Sequence, residues 1–259
     1  MARNDEVERQ HLIVLGASNV ARCVSTIVDV GRRRVGGPCN FLMAFAHGRS
    51  FQMRSQVLIR TIPGILDCQI WDAISKLRSA TAVITDVGND LLYSVTPETL
   101  LQWVRDCIER LLPVTQRIVL TELPLTSVNT LGDARYVLMR TILFPGCRIT
   151  RSQIFERAEQ VNDGLVQLAQ DYELPILKPE PHWYGFDPIH IKQKHKVEAW
   201  DKILSAFEFP EATYTPTRHW AQPVRLRLLA PASRRLFGIE QTKAQPAGKL
   251  PDGSVVSLF

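Results

Sequence analysis

The sequence predicts an α/β protein built around a mainly parallel sheet of about five strands. Short apolar runs rich in β-branched residues alternate with longer segments that have helical periodicity. Such alternation is typical of β-α units, in which helices cover the faces of a parallel sheet. The chain of 259 residues is long enough for one large domain and an appended segment.

Five apolar runs are predicted to be the strands. They lie at His11–Leu15, Phe41–Phe45, Ala82–Val87, Arg117–Thr121 and Pro175–Leu177. Helical periodicity predicts helices at Asn19–Val30, Gln69–Ser79, Pro97–Leu112, Ser152–Tyr172 and Lys192–Phe207. The helix at Pro97 has a well-defined start, because Thr96 can cap it and proline suits the first helical turn.

Two segments depart from this alternation. Residues 125–151 form a connection longer than the ~12–15 residues beyond which loops tend to be functional, so we expect them to form one wall of a substrate cleft. From Pro210 onward six prolines break any long helix, and residues 250–258 predict a turn followed by a short strand. We therefore divide the chain into a main domain, residues 1–209, and a basic, proline-containing C-terminal extension, residues 210–259.

The C-terminal extension is expected to be folded. It contains more large apolar side chains than disordered segments typically have, among them Phe237, Ile239, Val256 and Leu258. We expect it to pack on the main domain or on a second copy of the chain as a homo-oligomer, with its arginines facing outward.

The net charge of +5 does not indicate a nucleic-acid-binding protein. The extension holds seven Lys/Arg and three Asp/Glu, which accounts for +4 of that charge. The main domain is nearly neutral and has no recognised nucleic-acid motif. We interpret the basic extension as a solvated face, and no nucleic acid is expected as a partner.

Membrane, disulfide and metal chemistry are not expected either. No stretch approaches the ~18 apolar residues of a membrane span, and the apolar run at residues 12–15 is too short for a secretory signal. A cytoplasmic protein is therefore predicted. The five cysteines never occur as C-x-x-C and the six histidines never as H-E-x-x-H, so we expect reduced thiols and no metal site.

Residues with the chemistry of acyl transfer follow the predicted strands. Ligands of parallel sheets bind at the carboxyl ends of the strands. Ser18 follows the first strand and Gly48 the second, whereas Asn89 follows the third. Asp187 and His190 follow the fifth. The predicted topology brings all five residues to one edge of the sheet.

Each of these residues has a role in such chemistry. A serine hydroxyl is a weak nucleophile until a base takes its proton, so Ser18 needs His190, and Asp187 three residues earlier can orient that histidine. The main-chain N–H groups of Ser18 and Gly48 and the side-chain amide of Asn89 are candidate donors for an oxyanion hole. The predicted helix that starts at Ser18 adds a dipole that favours developing negative charge.

In their order, these blocks resemble the SGNH (GDSL-like) hydrolase superfamily over about Leu12–Phe207. The matching blocks are Gly16-Ala17-Ser18-Asn19, Gly48, Gly88-Asn89-Asp90 and Asp187-x-x-His190. The resemblance implies a three-layer α/β/α sandwich with a flavodoxin-like sheet. It also implies a serine esterase that needs no cofactor and acts on a small-molecule, carbohydrate or lipid ester. Ala17 stands where the family usually has an aspartate.

Each residue taken alone also has a structural explanation. Ser18 and Asp187 fit helix caps, while Gly48 and the Gly88-Asn89-Asp90 segment fit turns. His47, Arg49 and His182 lie near the same edge, and for them we favour structural roles. Only the joint order of the blocks favours catalysis.

Three other functions compete with ester hydrolysis. An acyltransferase would use the same acyl-enzyme with another acceptor, and a scaffold protein would keep the fold without the reaction. A dinucleotide-binding Rossmann unit could also begin at Gly16, but Ser18, Asn19 and Arg22 stand where its glycine fingerprint requires glycine.

Overall fold

A computed structural model describes residues 9–77, 79–115, 117–143, 146–209, 214 and 222–259. Within these residues the strands are β1 Gln10–Leu15, β2 Cys39–Ala44, β3 Ser55–Val57, β4 Arg60–Ile62, β5 Thr81–Ile84, β6 Ile118–Thr121, β7 Ile176–Leu177, β8 Ser233–Leu236, β9 Ile239–Thr242, β10 Gly248–Lys249 and β11 Val255–Leu258. The helices are α1 Ser18–Val35, α2 Ile70–Ile74, α3 Pro97–Leu111, α4 Leu125–Asn129, α5 Asp133–Leu143, α6 Arg151–Asp171, α7 Lys196–Ser205 and α8 Gln222–Arg227. Short 3₁₀ helices lie at Val87–Tyr93, Pro181–Trp183 and Gln193–His195.

The central sheet has the order β10-β11-β2-β1-β5-β6-β7. The five predicted strands are adjacent and parallel within it, in the flavodoxin-like order. Two more strands come from the extension, because β11 pairs in parallel with β2 and in antiparallel with β10. The α/β class is confirmed, and the sheet has seven strands rather than five.

Helices cover both faces of this sheet, which confirms the three-layer architecture. Alternate residues of β1 point to opposite faces: Leu12 and Val14 pack in a core with α1 and α7, and Ile13 and Leu15 in a core with α3 and α6. Both cores are shielded from solvent, because parallel sheets bury both faces.

A second, four-stranded antiparallel sheet was not predicted. Its order is β3-β4-β8-β9, so a hairpin of the main domain pairs with a hairpin of the extension. The extension therefore contacts the main domain through two sheets. Parts of it, residues 210–213 and 215–221, lie outside the described residues.

Three predicted elements differ most from the structure. Residues 125–151 hold two helices, α4 and α5, where only a connection was expected. The helix predicted at Gln69–Ser79 is limited to Ile70–Ile74. The third strand ends at Ile84 because Asp86 has a φ of 59°, which an extended strand does not permit. No helix in the described part of the chain has both the length and the hydropathy needed to cross a bilayer.

Candidate active site

Ser18, His190 and Asp187 lie in one hydrogen-bonded chain. Ser18 is the first residue of α1, and its Oγ is 2.8 Å from Nε2 of His190. Nδ1 of His190 is in turn 2.6 Å from Oδ2 of Asp187. Serine and histidine are 172 residues apart in the sequence. The parallel sheet brings them together, because the carboxyl ends of β1 and β7 lie at the same edge.

The charge on Asp187 suits an orienting role. Burial raises the pKa of this carboxyl, but the hydrogen bond and charge of His190 outweigh burial, so the pKa lies below its usual value. The main-chain N–H of Ile189 and the guanidinium of Arg22, 3.4 Å away, also favour the ionised form. An ionised Asp187 holds the proton on Nδ1 of His190, which leaves Nε2 free to accept the Ser18 proton.

Asn89 brings an unsatisfied donor to the same place. It lies in the 3₁₀ helix Val87–Tyr93, and its Nδ2 is buried with no hydrogen-bond partner among the described residues. A buried N–H without an acceptor costs about 1–3 kcal/mol, so it is rarely retained without a use. Because Ser18 and Asn89 line one cavity, this amide can serve an oxyanion formed on a substrate at Ser18.

Gly48 lies on the turn that follows β2. Its φ of 65° favours glycine, and a Cβ there would lie 3.0 Å from the Tyr93 hydroxyl. Tyr93 donates a hydrogen bond to the Gly48 carbonyl over 2.6 Å, which ties this turn to the 3₁₀ helix that carries Asn89. Gly48 itself stands apart from the cavity wall that Ser18 and Asn89 share.

An apolar cavity of about 160 Å³ opens beside Ser18. Residues 125–143 contribute one of its walls, where the sequence predicted the wall of a cleft. We call it the apolar cavity; besides Ser18 and Asn89 it is lined by Leu91, Leu123, Val128, Leu131, Tyr136 and Met139.

A wider groove of about 920 Å³ opens beside His190. His190 and Asp187 line it together with His47. Seven of its lining residues are arginine or lysine, and Asp187 is the one acidic residue among them. We call it the basic groove; besides the fully buried Arg49, its cations are Arg22, Arg60, Lys192, Lys196, Arg227 and Arg234.

Comparison with models of protein families finds no match, and neither does comparison with curated protein sequences. Solved structures do match. Est24, a carbohydrate acetylesterase from Sinorhizobium meliloti, has a TM-score of 0.50 and 11% identity over 76% of this chain and 97% of that chain. The structure of TesA gives 0.50 and 14% over 77% and 98%, and the native M. smegmatis aryl esterase gives 0.51 and 9% over 75% and 97%. This chain has the SGNH-hydrolase fold.

Asp86 binds the main chain at the start of the helix that carries Ser18. Its Oδ2 accepts hydrogen bonds from the main-chain N–H groups of Ala17, at 3.0 Å, and Asn19, at 2.8 Å. A third, longer bond comes from Val20. The carboxylate thus caps the helix that begins at Ser18, where the helix dipole favours negative charge.

Asn19 connects that helix to the segment that carries His190. Its Nδ2 donates to Asp86 and to the Ile189 carbonyl, both over 2.8 Å. Its Oδ1 accepts from the Ile191 N–H over 2.9 Å, so the amide holds the main chain on both sides of His190. Sequence reasoning missed both residues. The predicted third strand extended to Val87 and so included Asp86, which hid this residue from the criterion that selected Asn89.

One group of side chains has the composition of a metal site. Ligand atoms of His182, His195 and Glu198 lie within 4.8 Å of one another, the one such group found in the described part of the chain. The Glu198 carboxylate accepts hydrogen bonds from Trp183, His182 and His195, which lower its pKa to about 2. These mutual bonds satisfy the three side chains without an ion, so we assign the group a structural role.

Proposed function

We propose that this chain hydrolyses carboxylic esters through an acyl-enzyme on Ser18. The observation that carries the proposal is the chain of hydrogen bonds from Ser18 to His190 to Asp187. His190 takes the Ser18 proton as Oγ attacks the carbonyl carbon. The resulting oxyanion accepts a hydrogen bond from the side-chain N–H of Asn89, which has no other partner among the described residues. The main-chain N–H groups of Ser18 and Gly48 are the further donors in this proposal.

The second half of the reaction uses the same groups. When the tetrahedral intermediate collapses, the bond to the leaving oxygen breaks and His190 gives its proton to that oxygen. A water molecule then loses a proton to His190 and attacks the acyl carbon. When this second intermediate collapses, the bond to Oγ of Ser18 breaks, His190 returns the proton to Oγ, and the acid is released. No cofactor is required for either half.

The position of Asp86 counts against a dinucleotide site. A pyrophosphate would need the N–H groups at the start of α1. The Asp86 carboxylate already accepts three of them, from Ala17, Asn19 and Val20. A second anion there would be repelled, which supports ester chemistry over the Rossmann alternative.

The test is covalent labelling with a fluorophosphonate together with hydrolysis of p-nitrophenyl butyrate. Wild-type protein should be labelled and active, and Ser18→Ala should lose both properties while staying folded. Ser25→Ala, two turns further along α1, is the matched control and should keep both. A label that persists on Ser18→Ala would refute the assignment.

A further inference from the structure

The apolar cavity and the basic groove meet the Ser18–His190 pair at different residues. Ser18 and Asn89 line the apolar cavity, and His190 and Asp187 line the basic groove. In acyl transfer the histidine must protonate the leaving oxygen, so the leaving group lies on the histidine side. The acyl group then occupies the remaining side, next to the serine and the oxyanion donor.

We infer that the substrate is an ester with a short apolar acyl group and an anionic leaving group, such as a phosphate- or carboxylate-bearing alcohol. The inference rests on the proposed function, because only in that reaction must the leaving group lie next to His190. It goes further because it assigns a chemical class to each half of the substrate.

The size of the apolar cavity limits the acyl group. Its volume of about 160 Å³ is close to the ~150 Å³ of an engineered apolar cavity that binds benzene. An acyl chain of about four to six carbons matches a group of that size. Leucine, valine and methionine side chains line the cavity, so each CH₂ group of the acyl chain that moves into it from water contributes about 0.8 kcal/mol to binding.

The charge of the basic groove selects the leaving group. Asp187, its one acidic side chain, is already engaged by His190 and Arg22. Within the described parts of the chain, Arg60 and Arg227 form no ion pair with a carboxylate. Uncompensated cations in a concave surface concentrate the field and attract anions.

These cations also repel one another. Burial lowers the pKa of the Arg60 guanidinium, and the charge of Arg234 lowers it further. Burial likewise lowers the pKa of Lys196, with contributions from Arg227 and Arg22. An anion that enters the groove therefore stabilises the charged form of each of these cations.

The C-terminal extension supplies part of this recognition surface. Arg227 lies on α8 and Arg234 on β8, both outside the segment that resembles the SGNH family. The pairing of β8 with β4 brings the extension beside Arg60. Two of the extension's arginines thus line the site, whereas the sequence analysis expected them to face solvent.

Leaving-group charge is tested with two esters of one acyl group: 3-(hexanoyloxy)-4-nitrobenzoate and the corresponding neutral benzamide. Each kcat/KM is measured against the spontaneous hydrolysis of the same ester. The anionic ester should be preferred about tenfold at low salt, and the preference should shrink as salt screens the groove. Equal values at low salt would overturn the inference.

The arginines are tested with matched variants. Arg60→Gln, Arg234→Gln and the exposed Arg227→Gln should each reduce the charge preference. Arg235→Gln is the control, because Arg235 neighbours Arg234 on β8, is exposed and pairs with Glu240 rather than lining the groove. A preference unchanged in all four variants would contradict the assigned cations, and circular dichroism checks folding.

The acyl half is tested with p-nitrophenyl esters of two to ten carbons. We expect kcat/KM to peak at about four to six carbons. Val128→Phe should narrow the apolar cavity and move the peak to shorter chains. Val137→Phe, on an exposed position of α5, should leave the peak in place. A flat profile would contradict the acyl assignment.

A binding measurement separates this inference from the proposed function. Calorimetric titration of Ser18→Ala with 3-hydroxy-4-nitrobenzoate and with its amide needs no turnover. Tighter binding of the carboxylate supports the anion site even if no ester is hydrolysed, in which case only the proposed function fails. Ester hydrolysis with equal binding of the two compounds would refute the inference and leave the proposed function intact.

Discussion

The carboxylate of Asp86 accepts a hydrogen bond from the Asn19 side chain over 2.8 Å, and the same Asn19 amide donates to the main chain beside His190. Serine and histidine are therefore positioned by one shared pair of residues. Neither Asp86 nor Asn19 belongs to the Ser18–His190–Asp187 chain. Because a displacement of about 1 Å can cost ~10²-fold in rate, this pair should control the turnover of a site it does not enter.

We predict that Asp86→Ala lowers kcat by about tenfold to a hundredfold with little change in KM. The loss of the helix cap should also reduce the free energy of unfolding by about 1 kcal/mol. Asp86→Asn keeps one acceptor oxygen and should recover part of kcat. Asp67→Ala, on an exposed side chain, is the control. If kcat and stability of Asp86→Ala equal those of the wild type, Asp86 does not position the site.

Asn89→Ala should separate activity from stability. Removing one oxyanion donor typically costs ~10²–10³ in kcat. Nδ2 of Asn89 has no hydrogen-bond partner among the described residues, so its removal leaves no other group unsatisfied. Because no hydrogen bond is lost, the melting temperature should not fall. Kinetics and thermal unfolding test both halves, with Asn129→Ala as the exposed control. A change in kcat of less than about threefold would contradict the donor role.

Asp90 should make stability depend on pH between about 4 and 6. Burial raises the pKa of this carboxyl to about 6, although hydrogen bonds from Ser50 and Phe51 oppose the rise. The folded state then binds more protons than the unfolded state in this range, so stability falls as pH rises through it. The difference amounts to about 3 kcal/mol.

Urea unfolding at a series of pH values between 4 and 7 measures this effect. Asp90→Asn cannot ionise, so its stability should lack the decline that the wild type shows across this range. Asp72→Asn, on an exposed carboxyl, should retain the decline. An identical pH profile for Asp90→Asn and wild type would exclude Asp90 as its source.

The last strand should contribute to both stability and the site. Leu258 is 5% exposed in β11, and the main-chain oxygen of Phe259 accepts a hydrogen bond from Arg49, which follows Gly48. Leu258→Ala should therefore cost about 2–5 kcal/mol. Leu228→Ala, at a side chain that is 77% exposed, should cost little. Equal unfolding free energies for the two variants would show that β11 is not part of the folded core.

Local patterns in the sequence determined the fold class and the order of the blocks. The continuous apolar run in β1 and the helical periodicity in α3 and α6 depend on near neighbours, so the sequence alone shows them. Ser18, Asn89, Asp187 and His190 were found because parallel strands all end at one edge. That rule predicts which residues lie near one another, but not which of their side chains are in contact.

The contacts themselves were decided by tertiary structure. Asp86 caps a helix 67 residues earlier in the chain, and β11 pairs with a strand more than 200 residues away, so no local window contains either signal. The basic groove likewise combines side chains from α1, β4, α8 and β8. Its charge arises from the convergence of distant elements, whereas the sequence showed only a basic extension and a nearly neutral main domain.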